Sequence, residues 1–335
     1  MTEGLQLLLS NPWLLALLLI VGLVLLVKGA DWLVDGASAI AKRFGISDLV
    51  IGLTVVAFGT SMPEFVVNMV SVADGVTDLA LTNILGSNII NTFVILGMTA
   101  LVFPIVSQKR SRDFDIPLSI IAGILVYVAV TIDSPFGEEV RGITRFAGII
   151  LLIFFCYFLF NTFRHAKDHP EDTPADEVKL MPTWKAVLWL ILGLIGLVAG
   201  GEMIVKSAVQ IATNLGVSEA IIGLTIVALG TSLPELATSV MAAFKHNCDI
   251  ALGNVIGSNI FNVFFVLGVS ATVRPLPAYD GIELDAWMVA IGSILVWLFV
   301  KTNHEREIKR WGGAILLIVY ACYLAYRLLH LTPSL

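Results

Sequence analysis

Gly52-Leu-Thr-Val-Val-Ala-Phe-Gly-Thr-Ser-Met-Pro-Glu64 and Gly223-Leu-Thr-Ile-Val-Ala-Leu-Gly-Thr-Ser-Leu-Pro-Glu235 are nearly one phrase written twice, 171 positions apart. The same offset carries Asn83-Ile-Leu-Gly-Ser-Asn-Ile-Ile-Asn91 onto Asn254-Val-Ile-Gly-Ser-Asn-Ile-Phe-Asn262, and 22 of the 46 positions from 52 to 97 are identical in the second copy. Each copy sets one carboxylate in an apolar run: Glu64 is the only ionisable side chain between Val50 and Ala73, and Glu235 the only one between Ala220 and Phe244. Upstream, Phe44-Gly-Ile-Ser47 matches Leu215-Gly-Val-Ser218 and Gly29-Ala-Asp31 matches Gly200-Gly-Glu202, so the duplicated unit extends well beyond the motif.

Of 335 residues, 57% are hydrophobic and 14% charged, and the mean hydropathy is +0.91. That leaves too little polar surface to cover a water-soluble globule. Apolar stretches of about 17 to 25 residues recur along the chain, each long enough to cross a hydrocarbon core as a helix. The short alternating segments of a membrane barrel are absent. The sequence predicts an all-α integral membrane protein with ten transmembrane helices, at 12–35, 49–73, 79–103, 115–132, 143–163, 184–208, 219–244, 250–272, 285–300 and 311–328.

Two copies of a five-span unit follow, residues 1–163 and 184–335, joined by a polar linker at 164–183 that carries His-Pro, Thr-Pro and Met-Pro steps. An odd number of crossings makes the second copy enter from the other side, so the expected architecture is two inverted five-helix repeats. Basic residues test this count, because cytoplasmic connections carry the excess of lysine and arginine. With the N-terminus outside, 14 of the 20 fall on inner connections. The expectation is a multi-pass plasma (inner) membrane protein with both termini outside and the linker cytoplasmic.

A charge at mid-membrane is costly enough that Glu64 and Glu235 are expected to face a partner or a water-filled cavity. The competing reading, a protonated Glu buried as a helix-helix hydrogen-bond donor, is weakened by its having to occur twice. Pro63 and Pro234 directly precede the glutamates and remove an amide donor, so each helix is expected to break there and free backbone carbonyls. Thr60, Ser61, Thr231 and Ser232 stand beside the break, where they either bind a cation or re-satisfy the kinked backbone. In the following span Asn83, Ser87 and Asn91, and Asn254, Ser258 and Asn262, recur at every fourth position and so share a helical face. Ser87, Asn91, Ser258 and Asn262 lie at the depth of the glutamates. For Asn83, Asn88, Asn254 and Asn259, hydrogen bonding between helices is as good a reading as ligation. All these donors are oxygens, which suits Ca²⁺ and Na⁺ and not zinc or copper. Two carboxylates neutralise one divalent or two monovalent cations, which is a physical basis for exchange.

These motifs closely resemble the paired repeats of the calcium/cation antiporter superfamily, and within it the prokaryotic sodium/calcium exchangers; the resemblance covers all ten spans. It implies a site between spans 2, 3, 7 and 8, with the first and sixth helices sliding past that core. It implies ligand roles for Thr60, Ser61, Glu64, Ser87, Asn91, Thr231, Ser232, Glu235 and Ser258, with backbone carbonyl contacts at Ala57 and Ala228. Several members carry Asp where this chain has Asn262, so its site offers two carboxylates rather than three. The implied activity is antiport of Ca²⁺ against Na⁺ by alternating access, with Ca²⁺/H⁺ exchange at the same glutamates as the alternative.

Other classes fare worse. An intramembrane metalloprotease needs histidine ligands within a span, yet His165, His169, His246, His304 and His330 fall in connections or at the tail. An aspartyl type needs paired intramembrane Asp at the motif, and a passive channel does not call for inverted units with broken helices. No cofactor, nucleic acid or obligate protein partner is expected; the partners are the two ions and the lipid bilayer. Cys156, Cys248 and Cys322 are expected to be packing residues. Asp31 and Asp35 with Lys28, and Glu202 with Lys206, are expected to anchor at the interface or pair along their own helices.

Overall fold

The structure, a computed structural model, describes residues 12–132, 141–168, 181–215 and 228–331. In chain order the elements are α1 (Pro12–Phe44), α2 (Asp48–Thr60), α3 (Met62–Asp74), α4 (77–102), β1 (Ile105–Val106), α5 (Ser111–Thr131), β2 (Gly142–Ile143) and α6 (Arg145–Asp168). The second half supplies α7 (Thr183–Asn214), α8 (Ala228–Thr231), α9 (Leu233–Phe244), α10 (Cys248–Val273), β3 (Leu276–Pro277), α11 (Ile282–Thr302), β4 (Glu307–Ile308) and α12 (Arg310–Leu331). Among the described residues eight helices are long and apolar enough to cross a membrane, and the bent pair α2 and α3 makes a ninth. The protein is an all-α membrane protein. Helices prevail because in lipid each must satisfy its own backbone groups. The first part of the predicted span 219–244 lies outside the described residues, which retain α8 and the 12 residues of α9 there.

Three helices outrun their predicted ends: α1 continues to Phe44, α7 to Asn214, and α6 to Asp168, which takes the first residues of the predicted linker 164–183 into helix. The charged residues that closed the predicted spans keep helical spacing instead of breaking the turn, and Lys42 and Arg43 in the last turn of α1 suit the negative end of its dipole. Two helix ends at matching positions carry left-handed residues. Gly75 (φ 82) follows α3, with Val76 N–H on Ser71 O at 2.8 Å; His246 (φ 56), its counterpart at the 171 offset, follows α9 with Asn247 N–H on Ala242 O at 2.8 Å. Both are Schellman ends, and they fix Asp74 and Lys245 at matching terminal positions.

The prolines act as expected. At Ser61 (φ −87, ψ 7) α2 and α3 meet at 44°, and Ser232 (φ −89, ψ 6) repeats that backbone in the second copy. The sequence does not announce the wide π-type turns at Gly52–Val56, Ile90–Ile95, Ser111–Asp115 and Phe261–Leu267. Two of these hold Asn91 and Asn262, consistent with the frequent placement of such turns at functional sites.

Helices of one half pack on helices of the other: α1 on α7, α5 on α11, α4 on α12, α10 on α6 and α2 on α10. The α1 and α7 backbones touch, since a Cβ added at Gly29 would lie 2.7 Å from Leu197 N and one added at Gly193 would lie 2.7 Å from Leu33 N. Two short antiparallel ladders also join the halves, β1 with β4 (Ile105 opposite Ile308) and β2 with β3 (Ile143 opposite Leu276). Because α5 runs from the β1 end of the bundle to the β2 end, the ladders sit at opposite ends. Cys156 and Cys322 are exposed on the outer, apolar surface, contrary to the expectation that they pack; only Cys248 is partly buried. Apolar side chains around the bundle rim meet lipid, so exposure there costs nothing.

Candidate functional site

The broken helix α2/α3, its counterpart α8/α9, and the π-widened helices α4 and α10 bring the duplicated motifs together at the centre of the bundle. Glu64 and Glu235 are both fully buried, at 0% exposure. Ser61 Oγ donates to Glu235 Oε1 at 2.7 Å and Ser258 Oγ reaches the same oxygen at 3.4 Å, so a hydroxyl from each half holds this carboxylate. Glu64 faces the Thr231 and Ser232 hydroxyls and lies within the field of Glu235, but neither of its oxygens closes a hydrogen bond.

Ala57 O accepts Ser61 N–H at 3.0 Å and lies 3.4 Å from Thr60 Oγ1 and 3.5 Å from Ser258 Oγ, which places the predicted carbonyl among the predicted hydroxyls. Thr60 Oγ1 also donates to Asn254 Oδ1 at 3.1 Å. Ser87 and Asn91 are buried on α4, but no hydrogen bond ties their side chains to the other site residues. Asn262 Nδ2 donates to Asn88 Oδ1 at 3.2 Å, leaving Asn262 Oδ1 unpartnered. Ala228 opens α8; the residues before it lie outside the described set.

The buried polar atoms without partners decide the chemistry. Glu64 Oε1 and Oε2, Glu235 Oε2, Ser87 Oγ, Asn91 Oδ1, Thr231 Oγ1, Ser232 Oγ and Asn262 Oδ1 are all buried and unsatisfied. An unpaired buried carboxylate costs several kcal/mol unless it is neutralised or coordinates a metal. No described Lys, Arg or His pairs with either glutamate. What remains is a cage of oxygens with two carboxylates, a fit for a hard cation and not for a ligand that brings its own negative charge.

With that geometry in view, the sequence pattern of the family described as sodium/calcium exchanger protein matches residues 14–164 and 185–329. The chain belongs to this family. It is 40% identical over 312 residues to CaxA of Alkalimonas amylolytica, covering 91% of this chain and 95% of that one. It is 33% identical over 340 residues to MaX1, a sodium/calcium exchanger of Methanosarcina acetivorans, covering 92% and 97%. Among solved structures it is similar to the sodium-calcium exchanger NCX_Mj, at 34% identity and a TM-score of 0.79, covering 93% of this chain and 98% of that one. The protein is therefore a membrane cation antiporter and not an enzyme.

Sequence reasoning left Asn254 undecided, and the exchanger uses it as a strut: its amide donates to Glu235 O at 3.2 Å and Ser239 Oγ at 2.9 Å while its carbonyl accepts from Thr60. Asn88 donates to Asn259 O at 3.2 Å and Asn259 to Thr92 Oγ1 at 2.7 Å, which knits the two halves together behind the cage. The reading missed Thr238, one turn beyond Glu235, whose buried hydroxyl is unpartnered. Its counterpart, Val67, carries no polar atom, so the duplication gave no signal there.

The packing around the cage is lopsided, although both glutamates are buried. A cavity of about 350 Å³ opens beside Met62, Pro63, Glu202, Lys206, Thr231 and Pro234, between α3 and α7. At the matching place in the other half α9 packs directly on α1. There Lys245 Nζ lies 2.7 Å from Asp31 Oδ1 and 2.5 Å from Asp35 Oδ1, so both aspartates tie α1 to the end of α9, and only Asp31 also pairs with Lys28 on its own helix, at 3.9 Å. Glu202 and Lys206 do pair along α7, at 2.8 Å.

Proposed function

We propose that this chain is a secondary antiporter that extrudes Ca²⁺ in exchange for Na⁺, with the two loads binding alternately at Glu64 and Glu235. The observation that carries the reading is the meeting of two fully buried carboxylates, one from each copy of the motif, in a cage of unsatisfied oxygens. One Ca²⁺ or two Na⁺ would neutralise those carboxylates equally, so either load leaves the buried site close to neutral while an empty site is penalised. The cage is then Thr60, Ser61, Glu64, Ser87, Asn91, Thr231, Ser232, Glu235, Ser258 and Asn262, with the carbonyls of Ala57 and Ala228. The names of MaX1 and NCX_Mj as sodium/calcium exchangers support this choice of ions.

The same reading takes residues 1–163 and 184–335 as inverted five-span repeats, ten spans in all, joined by a linker at 164–183. The crossed pairing of β1 with β4 and β2 with β3 supports inversion, because exchanging the two halves maps one ladder onto the other. The face bearing Lys42, Arg43 and Lys245 would be cytoplasmic, with both termini outside the plasma membrane.

The test is ⁴⁵Ca²⁺ flux in proteoliposomes, first under an imposed Na⁺ gradient and then under a pH gradient alone. Flux driven by Na⁺ and abolished by Glu64→Gln or Glu235→Gln is expected. Flux driven only by the pH gradient would replace Na⁺ with H⁺, and unimpaired flux in both variants would sink the cage itself.

A further inference from the structure

The offset that maps Glu64 onto Glu235 also maps Asp31 onto Glu202, Asp35 onto Lys206 and Asp74 onto Lys245. Two of these three changes reverse a charge, and they fall on the two members of one ion pair. On the Lys42 face Lys245 joins Asp35 and Asp31 and also donates to Asp31 O at 3.0 Å. The matching positions at the opposite face hold Lys206 and Asp74, with the signs exchanged between the helices. Reversal at one position would set like charges against each other; reversal at both restores attraction.

Only one of the two pairs is closed. Lys206 bonds Glu202 on its own helix, and Asp74, exposed at the last position of α3, makes no ion pair with any described residue. The cavity of about 350 Å³ lies between their helices. The helices that carry the four residues differ in how they are seated. α1 and α7 touch backbone to backbone, whereas α7 is separated from Leu53, Phe58, Phe155 and Phe261 of α2, α6 and α10 by an apolar groove of about 910 Å³ on the lipid-facing rim. A tightly joined pair that meets the core partly across fluid lipid, rather than packed side chains, is built to move as a body against it. Asp35 and Lys206 ride on that pair; Lys245 and Asp74 close helices of the core.

We propose that Asp35–Lys245 and Lys206–Asp74 are alternating latches, the second forming as the first opens, so that the cage is sealed toward one face at a time. The proposal rests on the exchange reading above. The four are positioning residues and none reaches the cage. Both pairs are solvent-accessible, which keeps each weak enough to open in every cycle. The i,i+4 bond that Lys206 gives up is weak too.

The test uses full-length protein with Cys156, Cys248 and Cys322 replaced by Ser. Two double variants, Asp35→Cys with Lys245→Cys and Lys206→Cys with Asp74→Cys, are oxidised in vesicles bathed in Na⁺, in Ca²⁺ and in neither ion, and disulfide yield is read by mass spectrometry. Both pairs are expected to cross-link, and the bath that raises one yield about fivefold lowers the other. A Lys206/Asp74 pair that never cross-links, or two yields that rise and fall together, overturns the latches. In parallel, Lys206→Asp and Asp74→Lys each set like charges together and should slow ⁴⁵Ca²⁺ flux about fivefold, while their combination returns it to within about twofold of the parent. A combination no faster than the single variants also overturns the proposal. Disulfide yield does not depend on what is carried, so parent protein that moves no Ca²⁺ would sink the exchange reading and still leave the latches tested.

Discussion

Glu64 and Glu235 sit in matching phrases at matching helix breaks, yet one carboxylate is held and the other is bare. Glu235 accepts from Ser61 and Ser258, while Glu64 faces Thr231 and Ser232 with both oxygens unsatisfied. The difference follows the packing around each. Beyond Glu235, α9 lies against α1 and Lys245 ties the two together; beyond Glu64, α3 and α7 part around a cavity that reaches Thr231. Near-identical sequence in two settings therefore gives one half packed tight and one half with a cavity at its edge, and the asymmetry belongs to the conformer more than to the residues.

The strongest challenge to this comparison is to neutralise each carboxylate in turn. Glu64→Gln and Glu235→Gln should each weaken Ca²⁺ binding, measured by isothermal titration calorimetry in detergent, by at least about 100-fold, because on the proposed function each removes half the charge that would balance a buried divalent ion. A tolerated change at either would mean that the bare and the held glutamate are not partners. Next comes the rigid seam between the halves. Gly29→Leu drives a side chain into the α7 backbone and should lower stability by about 2 kcal/mol, seen as a fall in Tm. The same substitution at Gly86, where an added Cβ would meet nothing within 4 Å, should be far milder.

The serines probe the two halves at finer scale. Ser61→Ala removes a 2.7 Å bond to a carboxylate and should weaken Ca²⁺ binding about tenfold, whereas Ser232→Ala, which breaks no bond in this conformer, should cost about threefold. Equal effects would show that the ion-bound cage is symmetric. The smallest expected difference concerns the lysines. Lys245→Ala, which leaves two aspartates facing each other, should cost about 1 kcal/mol in thermal unfolding, and Lys206→Ala, at an exposed i,i+4 pair, less than about 0.5 kcal/mol.

The duplication made much of this legible beforehand. Pro63 and Pro234 gave the helix breaks, and the all-oxygen donor set followed from residues that no apolar span retains without reason. The π-type turns around Asn91 and Asn262 were hidden, since a single widened turn leaves no periodic trace in so uniformly apolar a segment. The strut at Asn254 was hidden for a different reason: an amide at mid-membrane can ligate or brace, and only its neighbours, Ser239 and the Glu235 carbonyl, decide which. The tie between Asp35 and Lys245 spans 210 positions, far beyond the helical spacing that links Asp35 to Lys28, so local pattern favoured the wrong partner.

The two ladders have a consequence for assembly. Ile105 is paired with Ile308 at one end of the bundle and Ile143 with Leu276 at the other, so the halves grip each other at both ends without help from the peptide that joins them. On the two-repeat reading, the chain holds its halves together much as two subunits of a complex would be held. Residues 1–168 and 181–335, produced as separate polypeptides in the same cell, should find each other and co-purify.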